Sequence, residues 1–220
     1  MLIKAITVIC PWPLKRLILK YWFKYSIDPS ASIGLSWIFP KTLVMGSNAK
    51  IDHFTVGVNF DKLIMENDSY IGRSNWITGF PISTDSKHFQ HQPDRKADLI
   101  IGQHAAITKK HHIDCTNTIT VGAFATIAGY NSQLLTHSIN TFENRQDSAP
   151  IIIGDHTFVG TNVVILGGAT LPAYSVLGAK SMLNKKHDQE WSLYGGVPAK
   201  LISNIPVTAK YFSRTEGFVY

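Results

Sequence analysis

The chain has 220 residues, of which 45% are hydrophobic and 16% charged, with a formal net charge of +6 and a mean hydropathy of +0.03. These values exclude a disordered chain and leave room for one domain, or one elongated repeat domain, with an ample core. Lys and Arg are in excess but form no dense run, which points to an anionic partner and away from nucleic acid.

The two cysteines, Cys10 and Cys115, make neither a disulfide framework nor a CxxC pair, and read as small buried or half-buried thiols in a reducing compartment. The opening MLIKAITVIC carries a Lys inside its apolar stretch and no small-residue cleavage site follows, so no secretory signal is expected. No run reaches the roughly twenty apolar residues of a membrane span, and the expected location is the cytoplasm.

Residues 12–25, WPLKRLILKYWFKY, predict a helix with Pro13 in its first turn. Lys15, Arg16, Lys20 and Lys24 alternate with Leu14, Leu17, Ile18, Leu19, Trp22 and Phe23. Residues 1–26 are therefore expected to form a cap with two compatible roles. A repeat fold needs its open end covered, and a basic amphipathic helix makes a peripheral contact with an anionic bilayer, here the inner face of the membrane.

From residue 27 to about 200 an aliphatic residue returns every sixth position. The frame runs through Ile27, Ile33, Phe39, Met45 and Ile51, slips by two, and resumes at Met65, Ile71 and Ile77. Residues 80–98, GFPISTDSKHFQHQPDRKA, carry no anchors, and so long an excursion from a regular repeat predicts function. Ile101, Ile107 and Ile113 restore the frame, which slips by two again before Val121 and Ile127. A second excursion covers residues 134–150, LLTHSINTFENRQDSAP.

The clearest run follows: Ile153, Val159, Ile165, Leu171, Leu177 and Leu183, with smaller residues at Thr157, Val163, Ala169, Ser175 and Ser181 and glycine at Gly154, Gly160 and Gly178. A period of six fits neither an amphipathic helix nor plain strand alternation, so the unit is a short strand plus a turn. Three units close a triangular coil, and stacked coils make an all-β parallel β-helix. Periodicity leaves its hand open. Residues 201–220 form a short tail that is expected to be partly helical.

Histidine supplies the candidate chemistry. His137, in LLTHSIN, is on its own residues a loop histidine among Thr and Ser. Asp85, Glu143 and Asp147 are candidates for a carboxylate that orients it, and none is preferred. His111 and His112, in KKHHIDC, are its rivals; for His111 a hydrogen-bonded structural role and a place on an acceptor wall both stand. His53, His104, His156 and His187 fall at turns and are expected to be exposed.

Taken together, the repeats, the LLTHSIN loop before PIIIGDHTFVGTNVVILGGA, the VLGAKSML coil and the closing YGGVPAK resemble the hexapeptide-repeat acyltransferases, closest to the sugar and polysaccharide O-acetyltransferases. The resemblance implies a left-handed β-helix, a homotrimer with sites between subunits, and acetyl transfer from acetyl-CoA to a sugar hydroxyl of a capsule, O-antigen or other cell-surface glycan precursor. On this resemblance His137 is the general base, and Gly160, Gly178 and Ala179 let the pantetheine arm approach. It likewise places Lys185 and Lys200 at the CoA phosphates and Pro198 near the adenine. The usual aromatic is Phe158, and Thr161 replaces a common glycine, which narrows the groove. No metal is expected, because Ser132 and Phe142 occupy the positions at which a zinc-binding relative places histidines. The alternatives are N-acetylation of an amino-sugar nucleotide, antibiotic acetylation through His88 or His91, and a non-catalytic scaffold.

Overall fold

The computed structural model describes residues 1–84 and 86–219. Its repeating unit is a coil of three short strands, such as Ser26–Ile27, Ser32–Ile33 and Trp37–Phe39 in the first. Coil upon coil, these build three sheets of seven, nine and seven strands among the described residues. Pairing is parallel throughout them, except where Ser192–Gly195 meets Lys200–Asn204 at the end of the second sheet.

Each strand turns one anchor inward, and the six anchors from Ile153 to Leu183 are all 0% exposed. Burying each contributes about 1.5–3 kcal/mol, so the column holds the repeat together despite its short strands. Two of the glycines after the anchors have a packing cause. A Cβ on Gly154 would lie 2.5 Å from the Ala173 amide nitrogen, and one on Gly160 would lie 2.6 Å from that of Ala179. The next coil rests on these positions, so at Gly160 stacking alone already demands glycine.

The irregularities fall at one corner. Both frame slips and both excursions occur where the third sheet turns back into the first, after Val56–Val58, Trp76–Thr78, His112–Asp114 and Gln133–Leu135. The second excursion is shorter than residues 134–150 suggest. Leu134 is a core residue in the strand Gln133–Leu135, and the chain leaves the coil as a hairpin of His137–Asn140 with Arg145–Ser148.

The N-terminal cap consists of two helices, α1 (Leu2–Ile9) and α2 (Trp12–Tyr21), so the helix expected over 12–25 ends early and has a companion. Lys15, expected to face lipid, is instead 3% exposed. Its Nζ donates to the carbonyls of Gly34 at 2.5 Å and Val8 at 3.4 Å, and burial lowers its pKa to about 8. With Leu19 it pins α2 across the open first coil.

His104 and His156 also depart from expectation, because they are stacked rather than free in solvent. The ring centroids of His104, Phe124, His156, Tyr174 and Trp191 follow one another at 4.8, 4.6, 5.2 and 4.6 Å. The five occupy the same left-handed turn position on successive coils, and the coil spacing of about 4.8 Å brings their faces together. The tail closes over this column. Its 3₁₀ turn, Lys210–Ser213, sets Phe212 against Trp191 at 5.4 Å, and the Tyr211 hydroxyl donates to the Thr157 carbonyl at 3.1 Å. His187 lies 4.4 Å from the ring of Tyr194, and His53 Nδ1 accepts from the Leu35 amide at 3.0 Å.

Candidate active site

His137 is the first residue beyond the Gln133–Leu135 coil strand and its neighbour Thr136, at the irregular corner. The strand before it on the adjacent coil is His112–Asp114, which pairs with it in register, Asp114 beside Leu135. That register carries the Asp114 carboxylate under the histidine ring. Asp114 Oδ2 lies 2.7 Å from His137 Nδ1, with the Asp114 side chain 10% exposed and that of His137 39%.

The carboxylate is saturated with donors. Oδ2 accepts from the Thr136 amide at 3.1 Å and hydroxyl at 2.9 Å, and Oδ1 from the Thr116 hydroxyl at 2.6 Å. Burial pushes the Asp114 pKa up, but hydrogen bonds from His137, Thr116 and Thr136 outweigh it, and the net shift is downward. The hydrogen bond to Asp114 raises the His137 pKa in turn, against the opposing effects of burial and Arg95. A carboxylate accepting from Nδ1–H leaves Nε2 with its lone pair free, the form a general base requires.

Asp114 is none of the three orienting candidates that the sequence offers. Asp147 pairs with His91 instead, Nε2 to Oδ1 at 2.6 Å, and also accepts from Asn140 and Arg145. Glu143 is exposed at the hairpin tip, and Asp85 lies outside the described residues. The missing signal was coil register: 23 residues separate Asp114 from His137 in the chain, roughly one turn of the coil.

The first excursion walls the histidine. Phe89, 4% exposed, meets the His137 ring edge to face at 6.1 Å. Arg95 holds that wall: its guanidinium lies 4.7 Å from the Phe89 ring centre and donates to the carbonyls of Phe80 at 2.5 Å and of Thr116. Gln92 and Ser148 exchange hydrogen bonds, so the two excursions are joined. His137 opens on a cavity of about 340 Å³ that also touches Ser138, Asp147, Gly167 and Asn184. Gly167 is obligatory there, since its Cβ would meet the Thr136 carbonyl at 2.6 Å.

His111 is a structural residue. It is 1% exposed, accepts from the Ser132 amide at 3.1 Å through Nδ1 and meets the Thr108 hydroxyl at 3.0 Å through Nε2. Burial lowers its pKa to about 4, so it stays neutral. His112 is exposed and faces Trp76 at 6.4 Å. His88 packs on Phe80 at 5.6 Å.

The remaining candidates divide between two corners. Lys185 follows Asn184, beside the His137 cavity. Gly160, Gly178 and Ala179 lie where the second sheet turns into the third, and the Gly196–Ala199 turn that carries Pro198 meets the same corner, with Ala199 donating to the Met182 carbonyl at 2.7 Å. Lys200 starts the next strand. Among the described residues, the cavity at His137 is therefore lined by none of this edge. Unlike Gly160, Gly178 has room: its Cβ would approach nothing closer than 3.4 Å.

No protein-family model and no curated protein matches the chain. Solved structures do. The polysialic acid O-acetyltransferase OatWY is 18% identical with a TM-score of 0.61, over 82% of this chain and 84% of that one. A variant of AntD, an N-acyltransferase from Bacillus cereus in complex with dTDP and coenzyme A, is 16% identical with a TM-score of 0.53, over 90% and 93%. A hexapeptide-repeat acetyltransferase from Vibrio cholerae is 30% identical, with a TM-score of 0.46. That match covers 49% of this chain and spans 63% of the Vibrio chain, less than two thirds of its length. The chain has the hexapeptide-repeat acetyltransferase fold, and its three parallel sheets in repeating strand order agree with the left-handed coil expected from the resemblance.

Proposed function

We propose that this protein transfers an acetyl group from acetyl-CoA to a hydroxyl of a sugar destined for a cell-surface glycan, with His137 as general base and Asp114 as its orienting carboxylate. The observation that carries the proposal is the His137–Asp114 pair at 2.7 Å, with the carboxylate largely buried and His137 in the wall of a cavity. In the reaction Nε2 takes the proton of the acceptor hydroxyl as its oxygen bonds to the thioester carbonyl carbon. The carbon–sulfur bond then breaks, and the proton passes from the imidazolium to the departing thiolate. Asp114 stabilises the imidazolium between those two events.

The donor edge in this reading is Gly178 and Ala179 with Pro198 and Lys200, where space beside Gly178 suits a slender pantetheine arm and the lysine suits a phosphate. Because His137 stands at another corner, the edge that serves it belongs to a second copy of the chain, and three copies close the ring in a homotrimer. His137→Ala should lower turnover by about two to four orders of magnitude while leaving acetyl-CoA affinity close to normal, as measured by steady-state kinetics and calorimetry. Near-normal turnover in that variant, with loss in a His91 variant, would transfer the role to the His91–Asp147 pair.

A second reading is N-acetylation of an amino-sugar nucleotide, supported by the fold match to AntD over most of both chains. The same base would serve an amine acceptor. Parallel assays with hydroxyl and amino sugars separate the two readings.

A further inference from the structure

The edge that carries Gly160 and Gly178 continues down the molecule into a patch of cations. Arg73, Lys109 and Lys110 are all exposed there, and none of them is in an ion pair among the described residues. Two adjoining cavities, of about 430 and 340 Å³, share Arg73 and Lys109 in their walls. The larger adds Asp52, Tyr70 and Thr108; the smaller adds Lys110 and Tyr130, whose ring is half exposed.

The backbone under this patch is fixed. Lys110 donates its amide to the Arg73 carbonyl at 3.1 Å, and Asn131 donates to that of Lys110 at 2.9 Å. Beneath them the buried Asn75 amide group donates to the carbonyls of Gly72 and Thr108, both at 2.9 Å. The one acid in the walls, Asp52, already accepts from the Tyr70 hydroxyl at 3.0 Å and the His53 amide at 2.8 Å. Three cations on a rigid concave surface against one occupied carboxylate make a seat for an anion, with an aromatic face beside it.

We propose that this seat holds the anionic part of the acceptor, a phosphate or carboxylate attached to the sugar that receives the acetyl group. The inference rests on the acyltransferase reading above, in which a second copy presents its His137 to this corner. His137 follows the strand Gln133–Leu135, on the same coil as Tyr130; Lys109 and Lys110 lie one coil below, and Arg73 one further. At about 4.8 Å per coil, and with the copies of a ring standing at equal height, the cations lie about 5–10 Å below the level of the base along the coil axis, on the side away from Gly178. The donor approaches from above, so a charge held below places the sugar between them.

The test uses the full chain and its Arg73→Ala/Lys109→Ala/Lys110→Ala variant, with pyrophosphate and an oligogalacturonate as probes of the two anion types. Calorimetry at low salt should show the wild type binding at least one probe, with affinity falling at least tenfold in the variant and also on adding salt. Whichever probe binds identifies the charged group. In acetyl transfer, the variant's rise in KM should be confined to acceptors bearing that group. Failure of both probes to bind, or equal binding by the variant, overturns the seat. A rise confined to the KM for acetyl-CoA also overturns the proposal, because the cations then hold the donor's phosphates. Probe binding without transfer to any acceptor removes the acyltransferase reading and the acceptor role with it, whereas transfer to a neutral sugar without probe binding removes the seat and keeps the enzyme.

Discussion

At the scale of single residues the proposed chemistry turns on the pair of His137 and Asp114, 2.7 Å apart. The hydrogen bond to Asp114 raises the histidine pKa, and only the neutral ring accepts a proton, so the acid limb of the kcat/KM profile should lie above the ordinary histidine value of 6.5. Asp114→Asn removes the charge that raises it. The limb should move to lower pH while the rate at the plateau falls by about 10²–10⁴-fold, because the amide neither fixes the productive tautomer nor stabilises the imidazolium. A pH–rate profile of the two proteins checks both signs, and an unmoved limb would show that Asp114 does not act on this ring. Stability follows the same pair in two directions. The His137 contribution is full below 6.5 and lost as pH rises through its raised folded value, whereas the Asp114 contribution is present above 3.8 and lost as pH falls through its depressed one. His137 stands out in the sequence only through the resemblance, being on its own residues a loop histidine, whereas Asp114 does not stand out at all, because sequence distance hides a contact made between stacked coils. Lys15 was hidden in a different way, since helical periodicity counts a lysine as surface and says nothing of carbonyls left open at the end of a β-helix.

At the scale of elements, the two excursions act as one wall, and Arg95 is its fastening. The guanidinium satisfies carbonyls of Phe80 and Thr116 from the excursion and the coil, while its face covers Phe89. Arg95→Ala should cost about 1–3 kcal/mol for each carbonyl left without a donor, seen as a lower Tm. It should also reduce turnover, since Phe89 then loses its hold on the His137 ring. A variant with unchanged Tm and turnover would remove this role from Arg95. The N-terminal helices form the other irregular element. Leu2, Ile9, Leu14, Leu17 and Trp22 are each at least half exposed, with Lys20 and Lys24 exposed near the end of α2. No helix among the described residues is long and apolar enough to cross a membrane. The exposed apolar side chains and cations suit a surface contact instead, and with each exposed cation adding about 1 kcal/mol near an anionic bilayer, attachment should be reversible and salt-sensitive. Vesicles containing phosphatidylserine should float with the protein at low salt, and Leu14→Glu/Leu17→Glu should abolish this; failure of the wild type to float would leave the helices only their role as a cap.

At the scale of the whole molecule, the six-residue period gave away most of the architecture, because each anchor has one place to go: the column inside the coils. The same regularity separates His137 from the glycine edge, since corners of a rigid triangular coil cannot approach one another. A site that uses both must therefore be assembled from two copies, and this has a quantitative consequence. Let His137→Ala subunits, which keep the edge, be mixed with Gly178→Trp subunits, which keep the base and fill the edge. Each homogeneous preparation lacks one half at every site. After dissociation and random reassembly at equal amounts, a site regains both halves only when the base comes from one variant and the edge from the other, which occurs at about one site in four. Activity should thus rise from near zero toward about a quarter of the wild-type value per site. Sites built within single chains would stay silent in the mixture however thoroughly the subunits exchange, and silence in a mixture shown by mass spectrometry to have exchanged would rule out a shared site.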